Sequence, residues 1–152
     1  MSEQIDHDEN AVSIHVRRGD YLEPKYWKTT GCVCQLPYYL NAIAEMNKRI
    51  SQPSYYVFSD DIAWVKENLP LPKVFFIDWN KGTESWQDMM LMSRCRHHII
   101  CNSTFSWWGA WLNPRENKTV IMPERWFRHC ETPDICPDKW IKVPINQPDS
   151  IQ

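Results

Sequence analysis

AVSIHVRRGDYL, residues 11–22, begins with small and apolar side chains and ends in fixed charge. The first half, Ala11–Val16, is typical of a buried β-strand. Arg17 and Arg18 follow it directly, and Asp20 comes after a single glycine. A strand that ends in two arginines poses a question about their partner, which is either a ligand or a neighbouring carboxylate.

The rest of the chain repeats this order of a strand followed by polar residues. Four further β-rich runs are predicted as strands, over residues 54–59, 73–78, 97–101 and 118–123. The segments between the strands carry helical spacing or capping residues, over residues 36–50, 60–70, 84–95 and 103–113. Strands that alternate with helices imply crossover connections and a parallel sheet. The sequence therefore predicts an α/β fold, with about five parallel strands and helices on both faces.

Length and composition are those of one ordinary domain of 152 residues with a net charge of −2. We expect a disordered tail over 1–10, a folded domain over 11–143 and a C-terminal tail over 144–152. The charge argues against a nucleic-acid partner, and no apolar run is long enough for stable membrane insertion. The acidic start does not resemble a signal peptide, which favours a cytoplasmic location, with peripheral contact to the inner membrane left open. The six cysteines have no metal-ligand spacing and are predicted to be thiols, with a Cys130–Cys136 disulfide as the alternative.

Polar side chains follow the predicted strands at the edge where ligands of parallel sheets bind. They are Arg17, Arg18 and Asp20 after the first strand, Asp60 and Asp61 after the second, Asp88 in the third helix, and Asn102, Ser103, Thr104 and Ser106 after the fourth strand. Arginine forks and free N–H groups at a helix start both suit phosphate oxygens. The four glycines form no phosphate-binding loop of the GxGxxG or GxxxxGK type. An anion site here therefore depends on arginine and a helix start.

Each of these features also has a structural explanation. Asp60 and Asp61 favour a first helical turn, Asn102–Thr104 can cap a helix, and Ser85 with Asp88 resembles a capping box. The two arginines can form a salt bridge with Asp60 or Asp61, and His15 can be a satisfied core histidine. A flavodoxin-like regulator that binds Mg²⁺ through Asp60 and Asp61 is a further alternative, but it leaves HVRRGD unexplained.

HVRRGDY, residues 15–21, resembles the HxRRxD motif of glycosyltransferase family 11, the α-1,2-fucosyltransferases. It is also similar to the matching motif of α-1,6-fucosyltransferases. The similarity to bacterial members continues through FSDDIAWVKENL, DMMLMSRCRHHIICNSTFSWWGAWLNP and VIMPERWF, and it covers about residues 11–142. The resemblance implies a two-domain GT-B architecture, in which this chain is the Rossmann-like C-terminal half that binds GDP-fucose. It also implies inverting transfer without a metal or other cofactor.

The resemblance further implies roles for individual residues. Arg17 would bind the β-phosphate, and His15 and Asp88 would lie near the guanosine. Ser103, Thr104, Phe105 and Ser106 would meet the pyrophosphate through the helix start. Asp60 or Asp61 would order the arginines or the nucleotide, and Arg18 and Asp20 complete the motif. For the catalytic base the first candidate is Asp20 and the second is Glu23.

The same resemblance defines the expected substrates and partners. The donor would be GDP-fucose and the acceptor a galactose-containing glycan. Only ten residues precede Ala11, so the acceptor-side half of the family is expected to be missing. A separate N-terminal partner domain or a homodimer would then complete the protein. The chain is therefore predicted to be a fucosyltransferase or its donor-binding part, with an inactive GDP-sugar-binding module or half of a split enzyme as the alternative.

Overall fold

The computed structural model describes residues 1–146 and contains one parallel sheet. Its strands are β1 (Ala11–Val16), β2 (Ser54–Ser59), β3 (Val74–Ile77), β4 (His97–Ile99), β5 (Val120–Pro123) and β6 (Ile141–Val143). They lie in the order β3-β2-β1-β4-β5-β6, and every neighbouring pair is parallel. The α/β prediction is confirmed, but the sheet has six strands where about five were expected. Only three residues form β6, so its pattern is too short to identify in a Pro-rich segment.

The helices cover both faces of the sheet. They are α1 (Ser2–His7), α2 (Pro24–Tyr26), α3 (Leu36–Arg49), α4 (Ile62–Asn68), α5 (Trp86–Arg94) and α6 (Thr104–Trp111). Val12, Ile14 and Val16 of β1 pack in one core with α3 and α4. Ala11, on the alternate face, packs in a second core with α1 and α5. Because side chains alternate along a strand, Ser13 and His15 share the face of Ala11.

The strand order places a topological switch between β1 and β4. The chain moves outward from β1 through β2 to β3, and then crosses back to β4 on the other side of β1. At such a point the connections beyond the carboxyl ends diverge and leave a crevice. Arg17 follows β1, and the segment that leads into α6 follows β4. The fold therefore brings these two segments to the same edge of the sheet.

The N-terminal segment is ordered, which corrects the expectation of a disordered tail over 1–10. Ser2–His7 forms α1, and Ile5 within it is fully buried against the second core. Asp6 accepts a two-pronged bond from Arg94, with Nε–Oδ1 at 3.0 Å and Nη2–Oδ2 at 2.7 Å. One apolar anchor and one ion pair thus attach a polar segment to α5. Of the expected C-terminal tail, residues 147–152 lie outside the described residues.

A buried polar network lies toward the amino ends of the strands. The fully buried His98 is 2.7 Å from Ser13 Oγ through Nδ1, and Asn113 Nδ2 is 2.9 Å from its Nε2. Burial, followed by the charge of Lys118, lowers the pKa of His98 to about 3. His98 is therefore neutral at physiological pH.

All six cysteines are unpaired, including Cys130 and Cys136. Within residues 1–146, no helix combines the length and apolar character needed to cross a bilayer.

Candidate functional site

A cavity of about 400 Å³ opens beyond the carboxyl ends of β1, β2 and β3, between the starts of α5 and α6. We call it the carboxyl-edge cavity. Five residues predicted from the sequence line it, namely His15, Arg17, Asp60, Asp88 and Phe105. They come from four segments of the chain, since His15 and Arg17 share the end of β1, and the topology brings these four segments together. The cavity is also lined by Phe58, Ser59, Ile77, Asp78, Asn80, Lys81, Gly82 and Ser85.

Arg17 enters this cavity as a partly exposed guanidinium held by Asp20. Its Nε lies 3.0 Å from Asp20 Oδ1, and its Nη2 lies 3.0 Å from Asp20 Oδ2. Asp60 Oδ2 is farther away, 3.9 Å from Nε. The hydrogen bonds to Asp20 raise the pKa of Arg17, and the same bonds lower the pKa of Asp20. Arg17 is therefore charged at physiological pH.

Asp60 holds the backbone of the loop that carries this arginine. Its Oδ1 accepts from the Arg18 N–H at 2.8 Å, and its Oδ2 accepts from the Gly19 N–H at 2.9 Å. Gly19 has no space for a side chain, because a Cβ there would lie 2.7 Å from Asp60 Oδ2. Asp60 therefore orders the backbone of the loop after β1.

Arg18 and Asp61 do not line the cavity, although both were predicted to bind substrate. Arg18 Nε is 3.2 Å from Asp61 Oδ2, and the guanidinium lies 4.1 Å above the ring of Trp64. Asp61 also caps α4 by accepting from the Trp64 N–H at 3.1 Å. Consecutive residues at a strand end point to opposite faces, so Arg17 and Arg18 separate. This pair corresponds to the structural salt bridge considered as an alternative.

His15 is buried in the cavity wall beside Phe105. The ring centroids of these two residues are 5.7 Å apart, and His15 Nδ1 lies 3.4 Å from Cys101 Sγ. Burial, followed by the charge of Arg17, lowers the pKa of His15 to about 3. A neutral imidazole can donate or accept one hydrogen bond but supplies no positive charge to an anion. The positive side chains of the cavity are therefore Arg17 and Lys81.

The start of α6 contributes one aromatic ring to the cavity. Phe105 lines the cavity, whereas Thr104 is exposed outside it and Ser103 is buried. The buried Ser106 hydroxyl donates to the Ser103 carbonyl at 3.2 Å. The Ser103 side chain makes no capping bond to this helix within residues 1–146. The first N–H groups of a helix have no partner within it, so those of α6 are free to meet an anion.

The far wall of the cavity combines predicted and unpredicted residues. Asp88 accepts from Asn80 Nδ2 at 2.7 Å, and its burial raises its pKa. Asn80 and Lys81 were missed by the sequence reasoning, although they follow β3 almost directly. The rule that selected Arg17 and Asp60 from strand ends would have found them. A group of three or more His, Cys, Asp or Glu side chains that could hold a metal ion does not occur within residues 1–146.

The two candidate bases lie in the loop after β1, outside the cavity lining. Asp20 faces Arg17, and both of its oxygens are engaged. Glu23 is exposed just before α2 and lies 3.8 Å from Lys25 Nζ. Of the two carboxylates, Glu23 is the one that is not hydrogen-bonded to an arginine in the cavity.

A parallel sheet of this order, with a cavity beyond the carboxyl ends of β1, β2 and β3, defines a Rossmann-like α/β domain. Comparison with known proteins gives the family. The sequence model of glycosyl transferase family 11 matches residues 1–143, and the chain belongs to this family. That finding confirms the resemblance first noted in HVRRGDY and removes the flavodoxin-like alternative.

The chain is similar to transferases of known name. An alpha-1,2-colitosyltransferase of Escherichia coli is 38% identical over 138 residues, which are 88% of this chain and 48% of the relative. The O-antigen biosynthesis glycosyltransferase WbnK of Escherichia coli is 37% identical, over 88% of this chain and 45% of the relative. Galactoside alpha-(1,2)-fucosyltransferase 1 of Saimiri boliviensis boliviensis is 35% identical over 66% of this chain and 28% of the relative. The chain thus spans less than half the length of these relatives.

Proposed function

We propose that this chain binds the GDP part of GDP-fucose in the carboxyl-edge cavity and acts in the transfer of L-fucose to a glycan hydroxyl. The observation that carries the proposal is the convergence of Arg17 and the start of α6 on one cavity. Arginine and free helix N–H groups both bind phosphate, and neither needs a glycine-rich loop. Membership in the family supports sugar transfer as the reaction.

The proposed chemistry is direct displacement at C1 of the donor sugar. The acceptor oxygen forms a bond to C1 as the bond to the β-phosphate oxygen breaks, and the anomeric centre inverts. Negative charge then grows on the departing diphosphate. Arg17 and the α6 amides would stabilise that charge as it develops, which makes the contact catalytic. His15 and Asp88 would contact the guanosine without adding positive charge.

The acceptor hydroxyl needs a group that takes its proton. Glu23 is our proposed base within this chain, because pairing with Arg17 lowers the pKa of Asp20 and weakens it as a base. The part of the family-length protein that this chain does not match could also supply the base. In either case the proton leaves the acceptor as its oxygen attacks C1.

Donor, acceptor and location are parts of the same proposal. The donor sugar is fucose, with colitose as the alternative that the first relative's name suggests. The acceptor is a galactose-containing glycan held by an N-terminal partner domain or by a second copy of the chain. Transfer would need no metal. Six unpaired cysteines suit a reducing compartment, which supports the cytoplasm.

Calorimetric titration of the chain with GDP, UDP and GDP-fucose, with and without EDTA, tests the proposal. GDP and GDP-fucose should bind, UDP should bind more weakly, and EDTA should change nothing. Arg17→Lys should weaken GDP binding about tenfold or more, since a point charge loses the bidentate fork. Arg94→Lys is the matched control, because Arg94 pairs with Asp6 in the same geometry outside the cavity. Tighter binding of UDP, or loss of GDP binding on chelation, would contradict the proposal.

A second candidate is a GDP-sugar-binding module without activity of its own, or half of a split enzyme. The coverage of less than half of the relatives' length favours it. Transfer or donor hydrolysis by this chain alone decides for the enzyme. GDP binding without turnover, restored by an added acceptor-side half, decides for the split enzyme.

A further inference from the structure

Asp20 binds only one edge of the Arg17 guanidinium. The Nε and Nη2 groups each donate one hydrogen bond to its carboxylate, both at 3.0 Å. A guanidinium has five N–H donors, so the edge formed by Nη1 and the second Nη2 hydrogen is left open by the contacts that residues 1–146 make. That open edge has the fork geometry that suits two phosphate oxygens.

The same loop is connected to the start of α6. The Tyr21 hydroxyl donates to the Asn102 carbonyl at 2.9 Å, two residues before Thr104. Burial raises the pKa of Tyr21 to about 12, so this donor keeps its proton. The Arg17 guanidinium lies 5.4 Å from the centroid of the Tyr21 ring. The arginine and the helix start are therefore held in one hydrogen-bonded assembly.

We propose that Asp20 is a positioning residue that presents the open edge of Arg17 to the donor diphosphate, and that it is not the catalytic base. The inference rests on the proposed function, because it needs the diphosphate in the carboxyl-edge cavity. Without Asp20, the side chain of Arg17 would sample several rotamers, since 36% of it is exposed. Binding of the diphosphate would then have to order it.

The base and positioning roles predict different effects on GDP, which carries no reactive sugar. A base does not act on GDP, so its loss leaves GDP affinity unchanged apart from a direct charge effect. Removing a nearby negative charge strengthens the binding of an anion, and this effect does not depend on Arg17. A positioning residue acts through Arg17, so its loss weakens binding only when Arg17 is present.

A double-mutant cycle on GDP affinity separates these effects. Asp20→Asn should raise the Kd for GDP about tenfold, which is about the loss of one charge-assisted contact between Arg17 and the diphosphate. In an Arg17→Ala background the same change should leave the Kd unchanged or lower it. Asp6→Asn is the control, because it breaks the ion pair with Arg94, which has the same two-bond geometry and lies outside the cavity. It should leave the Kd for GDP unchanged. An unchanged or lowered Kd for Asp20→Asn in the wild-type background would overturn the inference.

Carboxyl-detected NMR provides a readout that needs no ligand. The Asp20 carboxyl should titrate below its ordinary pKa of 3.8 in the wild type and should return toward 3.8 in Arg17→Ala. Titration of Asp20 at or above 3.8 in the wild type would overturn the pairing and the inference with it. A wild type that binds no GDP, but in which the pKa of Asp20 is below 3.8, would leave the ion pair between Arg17 and Asp20 intact. The proposed function would then fail. The claim that Asp20 presents Arg17 to a diphosphate would fail with it.

Discussion

Gly19→Ala should disrupt the loop after β1 by a direct steric effect. An ideal Cβ at this position would lie 2.7 Å from Asp60 Oδ2 and 3.4 Å from Asp60 Cγ. The φ of Gly19 is negative, −35°, so the position is not a left-handed one that calls for glycine. The clash is therefore with a carboxylate that two backbone N–H groups hold in place. Either the loop moves away or Asp60 gives up these bonds.

The expected cost follows from those two hydrogen bonds. Bonds to a charged group contribute roughly 1.5–3 kcal/mol each. The Asp60 side chain is 37% exposed, so water replaces part of what is lost. We expect a loss of about 2 kcal/mol in the free energy of unfolding, which corresponds to a drop of about 4–8 °C in Tm for a domain of this size. GDP affinity should fall as well, because Arg17 belongs to the same loop.

Denaturant unfolding of Gly19→Ala, Asp60→Ala and the double variant measures the effect and its cause. If Asp60 is the obstacle, the double variant should be no less stable than Asp60→Ala alone, because the obstacle has already been removed. The coupling free energy should then be about 2 kcal/mol. Costs that simply add, or a Gly19→Ala variant as stable as the wild type, would refute the reasoning.

Two further predictions concern residues away from the phosphate contact. Arg18→Ala should lower the free energy of unfolding by about 1–2 kcal/mol, because it removes the contacts with Trp64 and Asp61. Calorimetry should find the Kd for GDP unchanged. A large increase in that Kd would show that Arg18 contacts the nucleotide. His15 and His98 have folded pKa values of about 3 against 6.5 unfolded, so the unfolded state binds more protons below pH 6.5. The free energy of unfolding should fall by about 2 kcal/mol per histidine between pH 7 and pH 5. Urea unfolding at both pH values measures this change. An equal free energy of unfolding at the two pH values would contradict the prediction.

The order of strands and helices was predictable because buried parallel strands are short apolar runs with caps and prolines between them. Ala11–Val16 and Ser54–Ser59 have the predicted bounds. The sixth strand and the ordered N-terminal helix were not predictable. Three residues carry no measurable periodicity, and α1 depends on Ile5 and on an ion pair with Arg94, a residue remote in sequence.

The members of the site were predictable in part, because the ends of parallel strands share one edge. That rule brings His15, Arg17 and Asp60 to the cavity. It could not separate Arg17 from Arg18, since the face that each side chain takes depends on the last residue of the strand. It also could not show which carboxylate faces which arginine. Asp20 and Asp61 are both near in the sequence pattern, and the structure pairs the first with Arg17 and the second with Arg18.

A crystal structure of this chain with GDP tests the central claim most directly. The account predicts that the β-phosphate lies within hydrogen-bond distance of the open edge of Arg17 and of the N–H groups of Thr104–Ser106. The bond between Arg17 and Asp20 should be retained in that complex. GDP bound elsewhere on the molecule, or a diphosphate in the cavity that contacts neither Arg17 nor the start of α6, would contradict the account.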